Sequence, residues 1–137
     1  MRKRWNIPFV CLILLVVLIG CGGSRYADVI KLNQEYIGLI ETYVADIDKA
    51  GSAKAVAKAM NKYADGLEKV WPRMKAVSEK YPELKDKNNP PEEIKASQKE
   101  AESWGMKMGA TFRKVMPYMS DPDVKKAQER ISAIMQS

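Results

Sequence analysis

The side chains able to do acid–base or metal chemistry are unevenly supplied in this sequence. It has no histidine and two cysteines, Cys11 and Cys21. The commonest general base and the commonest transition-metal ligand are therefore missing together. A Ser-His-Asp site is excluded for the same reason. Two carboxylate pairs remain, Glu92 with Glu93 and Glu100 with Glu102. Acid–base work on one bond needs carboxylates on separate elements facing one cleft. These lie close together along one stretch, and the first pair suits a helix N-terminus, where the backbone dipole favours negative charge. No Gly-rich phosphate loop is present. The expectation is a chain that is not an enzyme, with no catalytic residue and no cofactor.

Methionine is the other candidate for chemistry. Beyond Met1 there are Met60, Met74, Met106, Met108, Met116, Met119 and Met135. Thioethers suit soft Cu(I). The run Trp104-Gly105-Met106-Lys107-Met108 resembles the Met-x-Met plus Trp arrangement of periplasmic copper(I) carriers. Residues two apart on a helix, however, point about 200° from each other. Met106 and Met108 could clamp one ion only if the helix unwound. Methionine as an adaptable core filler is the expected role, and no residue is assigned as a metal ligand.

The cysteines give a sharper signal. Arg2, Lys3 and Arg4 form a basic tip, and Ile7–Ile19 is an apolar stretch interrupted only by Pro8. Its 13 residues would span about 20 Å as a helix, short of the roughly 30 Å of a bilayer core. That length fits the apolar region of a signal peptide. Leu18-Ile19-Gly20-Cys21 then resembles the lipobox of bacterial lipoproteins. The resemblance covers residues 1–21 only. It implies cleavage between Gly20 and Cys21 and a diacylglyceryl group, of the palmitate type, on the Cys21 sulfur. Lipidation at Cys21 would make the membrane a partner through its acyl chains. Gly22 follows, rather than the Asp that favours inner-membrane retention. In a Gram-negative envelope this implies the outer membrane, facing the periplasm. Residues 1–20 are thus the signal peptide and residues 21–24 the lipidated Cys and its tether. Gly22-Gly23-Ser24 reaches at most about 10 Å, so the domain would sit close to the bilayer.

Composition agrees with export. Cys11 would leave with the signal and Cys21 would be consumed by lipid, so the mature chain has no internal disulfide. Removing Arg2, Lys3 and Arg4 leaves 20 basic residues against 17 acidic, and the formal charge falls from +6 to +3. That is an ordinary solubility charge, and no nucleic-acid partner is expected.

What remains must be helical. In residues 25–50, Ile30, Ile37, Ile40, Val44 and Ile47 step by threes and fours once Asn33 fills one position, with Val29, Tyr36 and Tyr43 alongside. This is the stripe of a helix facing a core. Gly51 is expected to cap that helix and Ser52 to start the next. From Ala53 the steps run through Val56, Met60, Tyr63, Leu67, Val70, Met74 and Val77 to Tyr81 without a miss. Pro72 interrupts the hydrogen bonding but not the phase, which predicts one kinked helix. A loop follows over residues 81–91. Asn89 is read as the next cap, with Pro90 as the first residue of a third long helix reaching about Tyr118. Ser120 is read as the cap of a short fourth helix carrying Val124, Ala127, Ile131 and Ile134.

The fold class is therefore all-α. Residues 25–137 are expected to form an antiparallel bundle of three long helices and a short C-terminal fourth, preceded by a signal-peptide helix. Lys54, Lys58 and Lys62 repeat at four-residue spacing, where like charges repel. They form a solvated face or a surface for anionic headgroups, cell-wall polymers or an acidic partner. Tyr36, Tyr43, Trp71 and Phe112 flank the seams; exposed together, they would mark a binding patch. The function expected is a non-catalytic binding or structural module on a membrane-anchored lipoprotein, acting through a protein partner or self-association. The alternative is a small-ligand or Cu(I)-type module with a Met- and aromatic-lined pocket. An open cavity lined by Trp104, Met108 and Phe112 would favour the latter.

Overall fold

Apolar residues spaced by threes and fours put one face of each helix in the core and leave the other for water. The computed structural model describes residues 23–137 and holds four α-helices in that range: α1 (Ala27–Lys49), α2 (Ala53–Lys80), α3 (Glu92–Val115) and α4 (Pro122–Gln136). Among the described residues there is no strand. The expected signal peptide, residues 1–20, and Cys21 lie outside the described residues. None of the described helices is long and apolar enough to cross a membrane.

Local chemistry sets the helix ends. Ala50 and Ser52 adopt extended backbone, and the Ser52 Oγ accepts from the Ala55 N–H at 3.2 Å. Ser52 is the expected cap. Gly51 does not supply a left-handed one, because no described glycine has positive φ. The chain reverses through extended residues instead. Tyr81 ends α2 because Pro82 disfavours helical backbone in the residue before it. A 3-10 turn, Pro82–Lys85, occupies part of the expected loop. α3 starts two residues later than Pro90: Pro91 precedes it, with no side-chain cap. Glu92 and Glu93 in the first turn offer negative charge to the dipole instead. Pro117 diverts the end of α3 into a second 3-10 turn, Met116–Tyr118. The cap of α4 is Asp121 rather than Ser120. Its carboxylate accepts from the N–H groups of Asp123 at 2.9 Å and Val124 at 3.3 Å. α2 stays a single helix through Pro72, as the unbroken seam predicts.

Consecutive helices run antiparallel, and polar pairs fix their register. Lys80 meets Asp28 at 2.7 Å and Lys62 meets Asp46 at 2.8 Å, so α1 and α2 run in opposite directions. Ser24 bonds Glu93 at 2.6 Å, Asn33 bonds Ser97 at 3.0 Å, and Lys114 pairs with Asp48. α3 therefore lies alongside α1 in the same sense. Arg130 reaches Asp65 and Glu68, both at 2.8 Å, and Lys75 bonds the Ser137 carbonyl. α4 accordingly runs parallel to α2. These exposed pairs add little stability each; their value here is as markers of alignment. The packed interfaces are α1 with α2, α1 with α3 and α2 with α4. In space the order is α3–α1–α2–α4, and α3 and α4 form no such interface with each other.

The main core lies between α1, α2 and α4 and takes in the C-terminal end of α3. Val56, Met60, Ala64, Leu67, Val115 and Val124 are buried almost completely. A smaller cluster of Tyr26, Val29, Tyr81 and Ile94 closes the end where α1 begins. There Tyr81 Oη donates to the Arg25 carbonyl and to Asp28 Oδ1, both at 3.0 Å. Tyr26 Oη donates to Glu83 at 2.9 Å. The chain is thus pinned from Ser24 onward.

Candidate functional site: an apolar groove between two helices

Because α3 and α4 stand apart, the α1–α2 layer beneath them is not fully covered. The result is a groove of about 340 Å³. Its floor is Tyr36, Ile40 and Tyr43 from α1 and Tyr63 from α2. Ala101, Gly105, Met108 and Phe112 form the α3 wall. Gln128, Ile131 and Met135 form the α4 wall. No charged residue lines it. Phe112 and Met135 remain 47% and 45% exposed, one on each wall.

Helical spacing explains both walls. Ala101, Gly105, Met108 and Phe112 follow one another by four, three and four, and Gln128, Ile131 and Met135 by three and four. Gly105 is informative. A glycine within a helix costs stability relative to alanine, yet a Cβ there would meet nothing within 4 Å. Close packing inside this chain does not require the missing side chain, and its absence widens the groove.

The electrostatics are those of a neutral site. Burial pushes the Tyr43 phenol up to about 12. Tyr63 is driven higher still, by burial first and then by the neighbouring Tyr36 and Tyr43. Both phenols are therefore uncharged near neutral pH, leaving hydrogen-bonding groups without a base. The Gln128 amide adds donors and an acceptor.

The other sequence candidates separate. Trp104 packs against the main core with the Lys107 Nζ 3.7 Å from its ring centroid. Met106 is 75% exposed, while Met108 lines the groove. Trp104, Met106 and Met108 thus do not converge, and Trp104 is not part of the lining. Glu92 pairs with Lys95 and Glu93 accepts from Ser24, while Glu100 and Glu102 are exposed. Among the described residues no group of three or more His, Cys, Asp or Glu could hold a metal ion. Of the four flanking aromatics, Tyr36, Tyr43 and Phe112 meet at the groove. Trp71 lies elsewhere, half-buried, with its Nε1 buried and unpartnered. Lys62 turns to Asp46, while Lys54 and Lys58 face a second cleft. Sequence reasoning missed Gln128 and Met135: they lie three and four residues either side of Ile131, but the stripe expected for α4 is Val124, Ala127, Ile131 and Ile134. Gly105 was the available clue.

Compared with known proteins, the chain matches no family model, no curated protein and no solved structure.

Proposed function

We propose that this chain is an envelope lipoprotein, anchored by acyl chains on Cys21, whose bundle is a non-catalytic binding module. Its site is the groove between α3 and α4, and its ligand is an uncharged apolar molecule. The observation that carries this reading is the lining: eleven residues, none of them charged. An ion entering such a site would lose its hydration without a counter-charge. An apolar chain or ring instead gains about 0.8 kcal/mol for each CH₂ it buries. The volume falls at the small end of the roughly 300–1,000 Å³ typical of ligand pockets. Met108 and Met135 supply flexible walls that adapt to the occupant.

The anchor reading sets the distance between membrane and groove. Tyr26 is clamped by Glu83, and Tyr36 lies ten residues further along α1, about 15 Å away. A bilayer held within the short reach of residues 21–23 is therefore near the groove. Lipidation is supported by Leu18-Ile19-Gly20-Cys21, and the outer-membrane, periplasm-facing location by Gly22.

The test is titration with N-phenylnaphthylamine, an uncharged apolar fluorophore, in competition with a long-chain alcohol. Saturable enhancement that Gly105→Leu abolishes, with helicity unchanged, is the expected result. Enhancement that is absent, or indifferent to Gly105→Leu, would overturn the assignment.

A second reading, a protein partner or a second copy seated on α3, rests on Met106, Phe112 and Met116. They are 75%, 47% and 55% exposed. Sedimentation of wild type against Met116→Glu tests it; a shared monomeric profile argues against self-association.

A further inference from the structure

The pole of the bundle where α2 and α4 begin carries a second concavity. It is about 360 Å³ and is lined by Lys54 and Lys58 from α2 and by Asp123, Lys126 and Arg130 from α4, with Asn61 between them. Lys54, Lys58 and Lys126 are exposed and enter no ion pair among the described residues. Arg130 is already held by Asp65 and Glu68. The single carboxylate in the lining is Asp123.

This arrangement works against the fold's own stability. Positive charge at a helix N-terminus opposes the backbone dipole. Even so, the first turn of α2 holds Lys54 and no acidic residue. Lys58, one turn on, repels Lys54. The start of α4 brings Lys126 to the same concavity, with Asp123 as the one carboxylate beside it. The lining holds four cationic side chains and one carboxylate; Arg130 is taken up by Asp65 and Glu68, so the three lysines are what an entering anion would meet. Inorganic phosphate or a phosphate monoester, carrying about −1.5 to −2 near neutral pH, offers those lysines more charge than a single carboxylate would.

We infer that the cleft between the starts of α2 and α4 is a binding site for a phosphate group, held by Lys54, Lys58 and Lys126. Arg130 forms its back wall, fixed in place by Asp65 and Glu68. The site is independent of the apolar groove, because Ile131 and Met135 point to the other side of α4. It also lies at the end of the bundle away from Ser24, about 40 Å along α2. The phosphate therefore comes from solution or from a headgroup presented at that far pole.

The experiment follows the amide NMR signals of Lys54–Lys58 and Asp123–Ala127 in the full-length chain, held in a neutral detergent at constant ionic strength. Inorganic phosphate and glycerol 3-phosphate, a soluble monoester headgroup, are titrated separately, with chloride as control. Saturable shifts confined to these residues are expected. The double variant Lys58→Glu, Lys126→Glu should weaken them by at least about tenfold, because anion concentration in a cleft rises steeply with its charge. Tighter binding of inorganic phosphate identifies a soluble source, and tighter binding of glycerol 3-phosphate a lipid headgroup. Shifts no larger than with chloride, or shifts that the double variant retains with unchanged helicity, overturn the site.

Discussion

The rings of Tyr43 and Tyr63 stack with centroids 4.7 Å apart and planes 28° from parallel, joining α1 to α2 at the floor of the groove. This contact has two functions. It completes the core between the central helices, and its upper surface is what a ligand would touch. Removing the Tyr63 ring should therefore affect both. Tyr63→Ala is expected to cost on the order of 3 kcal/mol, as for other buried aromatics truncated to alanine. Tyr63→Phe keeps the stack and should cost far less. Urea denaturation checks the difference.

The same pair predicts an alkaline limit. Burial raises Tyr43 from 10.0 to about 12 and moves Tyr63 in the same direction. A raised pKa means that the folded state holds the proton more tightly than the unfolded chain. The corresponding stability is fully present below pH 10.0 and is lost as pH rises through about 12. Phenolate absorbance should accordingly lag behind free tyrosine and then appear together with loss of helicity. Tyr43→Phe should shift that loss to higher pH. A phenolate signal from all tyrosines near pH 10, with the helices intact, would contradict the burial argument.

Two glycines in helices should respond oppositely to alanine. At Gly105 a Cβ meets nothing within 4 Å, so Gly105→Ala should stabilise by about 0.5–1 kcal/mol through helix propensity. At Gly66 a Cβ would lie 2.3 Å from Leu39 Cδ1 and 2.9 Å from Cδ2. Leu39 is half-buried against the main core, so it must turn within packed surroundings. Overpacking of this kind costs about 1–3 kcal/mol, enough to cancel or exceed the propensity gain. Thermal melts should show Gly105→Ala above wild type and Gly66→Ala below Gly105→Ala.

These contrasts show what the sequence could and could not reveal. The α2 seam was legible because both neighbours cover it: every residue from Val56 to Val70 in that stepping is buried. α3 was equally legible as a helix, yet Ala101 and Met108 are only half-buried and Phe112 is exposed. A three-four pattern says which face looks inward, not whether another helix stands opposite. The groove is such a missing neighbour, so only the packing reveals it. Leu32 is buried although it lies off the expected stripe, because α1 is flanked by α2 and α3 and buries a broader face than one seam. The cap of α4 was placed one residue early because Ser120 and Asp121 are both good caps. The neighbouring Pro122, as first helical residue, selects Asp121.

Asp28 predicts acid sensitivity at the end of the bundle where α1 begins. It accepts from Lys80 at 2.7 Å and from the Tyr81 hydroxyl at 3.0 Å. The Lys80 bond foremost, and then the Tyr81 bond, hold its carboxyl below its ordinary value of 3.8. A lowered pKa contributes stability above pH 3.8 that is lost as pH falls through the depressed folded value. Hydrogen exchange should therefore show Val29–Leu32 opening in acid before Val56–Leu67. Asp28→Asn should remove that pH dependence, and Tyr81→Phe should raise exchange there at every pH. Uniform opening of both regions would show that the clamp has no local role.

The proposed anchor depends on the Cys21 sulfur, because a thioether to lipid could form nowhere else: Cys11 lies within the apolar run that cleavage would remove. Serine has the size but not the nucleophilic sulfur. Cys21→Ser should abolish incorporation of labelled palmitate and leave the chain unprocessed, about 20 residues longer on a gel. Cys11→Ser should change neither. Gly22→Asp supplies the residue that the lipoprotein resemblance associates with inner-membrane retention, and it should move the protein from the outer- to the inner-membrane fraction without altering palmitate labelling. Labelling that persists in Cys21→Ser would refute the lipoprotein assignment. Labelling lost in both cysteine variants would place the requirement in the apolar segment rather than in the lipobox.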